Sequence, residues 1–388
     1  MYKILTYNNI SAASLRRLPS NQYEVSSEIQ HPDAILLRSF NLHGKPITNS
    51  LKCVGRAGVG VDNIPVSEFS KRGIPVFNAP GANANAVKEL TLAGMMLAAR
   101  HIGPALDFIH TLQGNDEAIN QAVEKGKKNF AGFELAEKTL GVIGLGAIGV
   151  KVANGALGLG MKVIGFDPSP TVQRAWQLSS QVAPASDINE LLSQSYFVTL
   201  HIPFVEQTRH FINSARLGLM KTGAVLLNFS RGGIVDESAV LQALEAGKLR
   251  AYVCDFPSSA LLDRKGVIAL PHIGASTEEA EENCAVMVVD QIRDYLEKGN
   301  IRNSVNFPDI VLPPIEEGYR LGIANENIPG MVSQISSGLA DVNLNIVTLL
   351  NQSRGEYAYT LIDLNAEVPS ETLEHIKSIR GVLSVRHI

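Results

Sequence analysis

Cysteine is scarce in this chain of 388 residues, occurring only at Cys53, Cys254 and Cys284. So odd and sparse a set cannot build a disulfide framework, and no spacing matches a zinc site. Reduced thiols, and no metal, are therefore expected. Clean apolar stretches of 18 residues are absent too, so no membrane span is expected. The opening MYKILTYNNI has no basic segment followed by an apolar run, so no signal peptide is expected and the chain reads as cytoplasmic. Positive charge is not in excess: 34 Lys and Arg stand against 38 Asp and Glu, and a formal charge of −4 gives no nucleic-acid surface. Aromatics are few, at 6%, while hydrophobic residues reach 45%. An aliphatic composition of this length suits a soluble α/β enzyme of two or three domains.

Short apolar runs followed by polar or glycine residues recur along the first part, as parallel βα units require. Strands are expected at Lys3–Tyr7, Ala34–Leu37, Cys53–Arg56 and Pro75–Asn78. The apolar spacing of Val87, Leu90, Ala93, Met96 and Leu97 predicts a long helix over Asn85–Arg100. Residues 111–137 are polar, carry Lys125, Lys127 and Lys128, and read as a linker. A second βα series begins at Thr139, with strands at Leu140–Ile143, Val163–Phe166, Phe197–Leu200, Val225–Phe229, Tyr252–Cys254 and Val267–Ala269. After Phe307-Pro308 and VLPP the pattern becomes βαββαβ, the order of a ferredoxin-like module. Its strands are expected at Tyr319–Ala324, Asn345–Leu350, Tyr357–Leu364 and Val382–His387, with a helix at Ser370–Ser378.

The motif GLGAIG follows a strand and precedes a helix, placing Gly144, Gly146 and Gly149 in G-x-G-x-x-G. The first glycine permits a tight turn, the second lets backbone approach a pyrophosphate, and the third allows close helix–strand packing. Helix N-terminal amides then face the negative charge. Asp167 ends the next strand about 18 residues on, near the spacing of a ribose-binding acid. A carboxylate there accepts hydrogen bonds from both ribose hydroxyls and repels a 2′-phosphate, which selects NAD over NADP.

Three later segments carry acid–base and anion-binding residues: NFSRGGIVDE around Arg231, YVCDFP around Asp255, and LPHIGAST around His272. Hydride transfer from a secondary alcohol needs a base for the hydroxyl proton and a cation for a neighbouring carboxylate. Histidine and arginine at strand ends downstream of a dinucleotide fold meet that need.

In their order, GLGAIG, LHIPFVEQT, NFSRGG and PHIGAS resemble the D-isomer-specific 2-hydroxyacid dehydrogenases, and the resemblance covers nearly all of residues 1–310. It implies two Rossmann-like, doubly wound parallel-sheet domains: a discontinuous substrate domain, 1–92 and 283–310, and an NAD-binding domain, 93–282. The helix Asn85–Arg100 would link them, and the cleft between them would hold the reaction. Carried over by motif, Arg231 orients the substrate carboxylate and His272 takes the hydroxyl proton. Gly144, Gly146, Ala147, Ile148 and Gly149 would form the pyrophosphate turn. Asp167, Ile202, Phe229, Ser230, Asp255, His272 and Gly274 would line the NAD. Ala147 stands where many relatives have arginine, which removes one phosphate contact.

The tail, 317–388, resembles an ACT regulatory module, a fold that binds amino acids between paired copies. Together with GRAGVGVDNI and VFNAPGANANAVKEL, it points to the ACT-bearing branch of the family, whose substrate is 3-phosphoglycerate. That branch implies backbone amides at Ala57, Gly58, Val59 and Gly60 for the carboxylate. It also implies Arg38, with Ser39 and Lys127 or Lys128, for the phosphate. A homodimer or homotetramer is implied as well. Two departures stand out. Relatives carry a glutamate shortly after the YVCDF aspartate, paired with the catalytic histidine. Here the run is DFPSSALL, Ser259 is the nearest match, and Asp263 is a stand-in of unassigned position. Serine-binding ACT modules present histidine and asparagine before PG. This chain has Asn325 and Asn327 before Pro329-Gly330, with Asn345 at a second matching position, so serine or another polar effector is expected there. Two further readings stay open: a glyoxylate or hydroxypyruvate reductase of the same family, and a non-catalytic NAD-sensing protein, for which the missing glutamate speaks.

Overall fold

The computed structural model describes residues 1–8, 10–313 and 318–388. Residue 317, the expected first residue of the tail module, and Pro314 of VLPP lie outside the described residues. The chain forms two compact units, residues 1–83 with 278–388 and residues 84–277. It is α/β throughout, with two parallel sheets and one antiparallel sheet.

The first sheet contains β1 (Tyr2–Thr6), β2 (Tyr23–Ser26), β3 (Ala34–Leu37), β4 (Cys53–Arg56) and β5 (Val76–Phe77). Their order is β2-β1-β3-β4-β5, every pair parallel. The run AILL of β3 is buried on both faces, as a central parallel strand must be. One face packs on the helix Glu278–Lys298 through Val288, Val289 and Ile292, and the other on Leu42, Ile64 and Phe69.

The second sheet contains β6 (Thr139–Ile143), β7 (Lys162–Phe166), β8 (Ala183–Pro184), β9 (Phe197–Leu200), β10 (Ala224–Asn228), β11 (Leu249–Cys254) and β12 (Val267–Ala269). The order β12-β11-β10-β9-β6-β7-β8 reverses direction between β6 and β9, the switch point of a doubly wound sheet. The helix Ala84–Arg100 belongs to this unit and buries Val87, Met95, Ala98 and Ala99 against it.

The tail sheet contains β13 (Tyr319–Glu326), β14 (Ile346–Arg354), β15 (Tyr357–Leu364) and β16 (Val382–His387), antiparallel in the order β14-β15-β13-β16. The helices Met331–Ala340 and Ser370–Ser378 cover one face with Met331, Ile335, Leu339 and Ile376. From the other face, Ala324, Tyr359 and Leu361 enter the same core as the helix Glu278–Lys298. Arg320 forms a buried fork with Asp363, at 2.6 and 2.9 Å, and donates to the carbonyls of Lys298 and Pro313.

One expectation is corrected. Residues 111–137 are not a plain linker, because they contain the helix Asp116–Gly126 and a 3-10 turn over Lys127–Phe130. Asn115 caps that helix, its side chain accepting from the Ala118 amide at 3.0 Å, and Asp116 and Glu117 favour the positive end of its dipole. A polar surface masked the helical pattern.

Candidate functional site

In the second unit, β6 runs into a turn at Gly144 and then into the helix Ala147–Gly158. Gly144 has φ 91°, and a Cβ there would lie 2.5 Å from the His201 carbonyl oxygen. A Cβ on Gly149 would overlap the Gly144 carbonyl oxygen, whereas Gly146 faces open space. Two glycines thus let backbone meet backbone, and the middle one leaves room for a ligand at a helix N-terminus. Asp167 follows β7. Its oxygens accept from the Leu145 amide at 2.8 Å and the Ser169 amide at 2.9 Å, so the acid is tied to the glycine turn with lone pairs to spare. Ala147 and Ile148 open the helix, and Ile202 packs close to Gly144. This cradle has the shape and chemistry of a dinucleotide site.

Arg231 and His272 lie beyond the C-terminal ends of β10 and β12 in the same sheet. Phe229 is buried in the core that the helix Ala84–Arg100 forms with the sheet, its ring against Gly94. Asn228, fully buried, donates to the Arg231 carbonyl at 2.9 Å and accepts from the Ser230 amide at 3.2 Å, which shapes the turn. Ser230 Oγ donates to the Leu200 carbonyl at 2.7 Å. Half-buried Arg231 donates one N–H to the Ser230 carbonyl, at 2.8 Å, leaving the rest of its fork without a partner among the described residues. Such a fork suits a carboxylate.

His272 is exposed and holds left-handed backbone, with φ 57°. Asp255 supports the turn that follows it. Only 1% exposed, its two oxygens accept from the amides of Ile273, at 2.8 Å, and Gly274, at 2.7 Å. The carboxylate expected to line the NAD is therefore engaged in holding the histidine loop. No carboxylate lies within ion-pair distance of His272 among the described residues, and its ring packs at 4.9 Å on Phe256. Asp263 is exposed and forms no such pair. Ser258, next to the Ser259 position, donates to Glu237 at 2.6 Å. Asn228 and Phe256 were not singled out in the sequence; the adjacency of Asn228 to Ser230-Arg231 was the available signal for the first.

His201 closes β9. It is half-buried, with Nε2 3.0 Å from Thr199 Oγ1 and Nδ1 enclosed without a partner, and desolvation of the ring holds it neutral by lowering its pKa from 6.5 to about 3.

In the first unit, β4 ends in the turn Ala57–Gly60. The Ala57 amide donates to the Leu37 carbonyl at 2.7 Å and the Gly58 amide to the Arg56 carbonyl at 2.8 Å. The Val59 and Gly60 amides have no acceptor among the described residues and are the donors free for a carboxylate. The Val59 carbonyl accepts from Asn78 at 2.6 Å. Arg38, after β3, pairs with Glu281 at 2.6 Å and is half-exposed. Asn8 accepts from the amides of Arg38, Ser39 and Phe40 and fixes that loop, a role its isolated position in the sequence did not disclose. Lys127, in the second unit, is exposed and paired with Glu124.

In the tail, Asn325 is 1% exposed. It donates to the Glu326 carbonyl at 2.7 Å, while its amide oxygen has no partner. Asn327 donates to the Gly355 carbonyl, and the exposed Asn345 is fixed through its backbone amide to Asn365.

Residues 92–274 match the family model described as D-isomer specific 2-hydroxyacid dehydrogenase, NAD binding domain. The chain is 37% identical, over 350 residues and 88% of its length, to a D-3-phosphoglycerate dehydrogenase of Methanocaldococcus jannaschii, of which it covers 63%. It is 34% identical, over 87% of its length, to that of Haemophilus influenzae, of which it covers 81%. The chain thus spans about three fifths of the length of the archaeal relative. Among solved structures, a glyoxylate reductase from Paecilomyes thermophila is 27% identical with a TM-score of 0.63, and the match covers 78% of this chain and 98% of that one.

Proposed function

Because this chain belongs to the D-isomer-specific 2-hydroxyacid dehydrogenase family, we propose that it oxidises D-3-phosphoglycerate to 3-phosphohydroxypyruvate with NAD. This is the entry reaction of phosphorylated serine synthesis, set in the cytoplasm. The observation that carries the reading is the company kept along one sheet edge. The glycine cradle, the open Arg231 fork and His272 all lie at the C-terminal ends of parallel strands, where α/β folds bind ligands.

Arg231 holds the substrate carboxylate and, beside it, the C2 oxygen as carbonyl character develops. His272 accepts the C2 hydroxyl proton on a ring nitrogen. NAD, when bound, takes the hydride from C2. Within the first unit, the Val59 and Gly60 amides and Arg38 are the groups for a carboxylate and a phosphate; within the second, Lys127 is an exposed cation. Phe256 fixes the imidazole plane by packing, in place of a carboxylate partner. Serine or a similar amino acid binds the tail module through the Asn325 amide, whose buried oxygen lacks a partner. The chain works as a homodimer or homotetramer. The helix Ile102–His110 supports this, since it buries none of its residues while Leu106 and Ile109 are 57% and 50% exposed.

The test is NADH formation from NAD and D-3-phosphoglycerate at mildly alkaline pH with the product removed. Turnover is expected, and His272→Ala should lower it by about 10²–10⁴ with NADH affinity kept. Turnover with glyoxylate or hydroxypyruvate alone would move the substrate within the family. NADH binding without turnover on any 2-hydroxyacid would make the protein a sensor. A serine titration of activity and melting temperature tests the tail, and a flat response removes the effector.

A further inference from the structure

The first unit holds a crevice of about 910 Å³ between the edge strand β16 of the tail and the first parallel sheet. Its lining includes Lys52, Lys71, Arg72 and Arg386, against one acid, Asp33. Four formal cations and one anion leave +3 in a chain whose net formal charge is −4.

Internal partners do not neutralise this excess. Asp33 offsets one of these charges: one oxygen pairs with Lys52 at 2.8 Å and the other accepts from the Lys3 amide at 2.7 Å. Arg386 has no carboxylate partner among the described residues. Its guanidinium donates to the carbonyls of Tyr295 and Leu296, at 3.3 and 3.2 Å, and lies 4.2 Å from the Tyr295 ring centroid. Arg72 donates one N–H to the Ile47 carbonyl at 2.9 Å, and Lys71 has no partner among the described residues. Neutral carbonyls orient these groups without cancelling their charge. Like charges gathered in a concave site focus a positive potential that favours an entering anion.

The crevice is separate from the proposed substrate site. Lys52 precedes β4 and Gly73 precedes β5, so the cations stand at the N-terminal edge of the sheet. The Val59 and Gly60 amides follow β4, at the opposite edge. A four-residue strand separates the two ends by roughly 13 Å. Asn325, Asn327 and Asn345 do not line the crevice.

We propose that this crevice is a binding site for a small multivalent anion, a phosphorylated or polycarboxylate metabolite, that bridges β16 to the first sheet. Lys71 and Arg72 reach the ligand from one side and Arg386 from the other. Ser384 of β16, already hydrogen-bonded to the Gly73 carbonyl at 3.1 Å, marks the seam that the ligand would staple. Binding would stabilise the docked tail whether or not the asparagines bind an amino acid.

Calorimetric titration of the full chain with pyrophosphate, and separately with citrate, tests this. Saturable binding of at least one anion is expected, with a rise in melting temperature. Lys71→Ala with Arg72→Ala should weaken it about tenfold or more, and Arg38→Ala should leave it unchanged. Both crevice residues are exposed, so the pair should fold. Arg386→Gln, read by the same titration, gives the second arm from the tail side. Tighter binding of pyrophosphate assigns a phosphorylated ligand, and tighter binding of citrate a polycarboxylate. Absence of saturable binding overturns the proposal. So does binding that Arg38→Ala abolishes while the crevice variants leave it intact. Because the readout is binding, this outcome is independent of whether 3-phosphoglycerate is turned over.

Discussion

Both parallel sheets end a central strand in a glycine-rich turn, and the two turns do different work. After β6, Gly144 and Gly149 are forced by backbone: one holds φ 91°, and the other lies against the Gly144 carbonyl with no room for a methyl group. After β4, Gly58 has ordinary φ, and a Cβ on it would meet only the tip of the Arg56 guanidinium, at 2.8 Å. The first turn must bring a helix N-terminus up to a diphosphate, so it closes tightly. The second offers two amides, Val59 and Gly60, to a group the size of a carboxylate, and its nearest neighbour is the Arg56 guanidinium, which donates to the Arg38 and Gly60 carbonyls. The same position in the same topology is therefore closed by backbone in one sheet and by a hydrogen-bonded side chain in the other.

The harshest challenge to that comparison is Gly149→Val. Its side chain would overlap backbone that cannot move without parting the helix from β6, so loss of detectable NADH binding and a large fall in melting temperature are expected. Fluorescence titration with NADH reads the first and a thermal melt the second. Retained affinity would show that the turn is not the cofactor cradle. Asp255→Asn comes next. An amide in place of the carboxylate turns an N–H toward the Ile273 or Gly274 amide, and a lost charged hydrogen bond of this kind costs about 1.5–3 kcal/mol. The His272 turn should loosen, with kcat down by about ten- to a hundredfold and NADH affinity little changed. If affinity falls and kcat holds, Asp255 lines the cofactor and does not act on the histidine. The mildest of the three is Gly58→Ala, which meets a side chain and not backbone, at the cost of displacing the Arg56 guanidinium from the Arg38 and Gly60 carbonyls. A rise in KM of a few fold, with kcat and melting temperature near wild type, is expected from steady-state kinetics. Collapse of activity would mean that the two turns are equally rigid.

The contrast also explains what the sequence disclosed. The positions of the glycine turn, Asp167, Arg231 and His272 at the ends of strands were legible because they rest on local chain geometry: a strand, a turn, a fixed offset. Sheet order beyond that was implied by family likeness. The strands at Tyr23–Ser26 and Ala183–Pro184 are too short and polar to register as apolar runs, and they are edge strands that pairing alone defines. Asn8 acts through hydrogen bonds to a loop some 30 residues on that only the fold brings near, and the helix Asp116–Gly126 hides its pattern under a polar surface. The cationic crevice joins residues more than 300 positions apart, so no window of sequence could contain it.

Two histidines close strands of the second sheet, and they allow the subtlest test. His272 is exposed, whereas His201 is half-buried beside Thr199 with its ring Nδ1 enclosed, and desolvation lowers its pKa from 6.5 to about 3. The sign follows from linkage. Above the unfolded value of 6.5 both states are neutral at His201 and its contribution to stability is complete. As pH falls through 6.5 toward 3, the unfolded chain binds a proton that the folded chain refuses, so stability declines by up to about 1.4 kcal/mol per pH unit. Between pH 6.5 and 5, before most carboxylates titrate, the wild type should lose more stability than His201→Gln, which is neutral in both states. Urea midpoints across that interval measure the difference. Parallel pH slopes would mean that His201 reaches solvent or a proton donor in the folded chain.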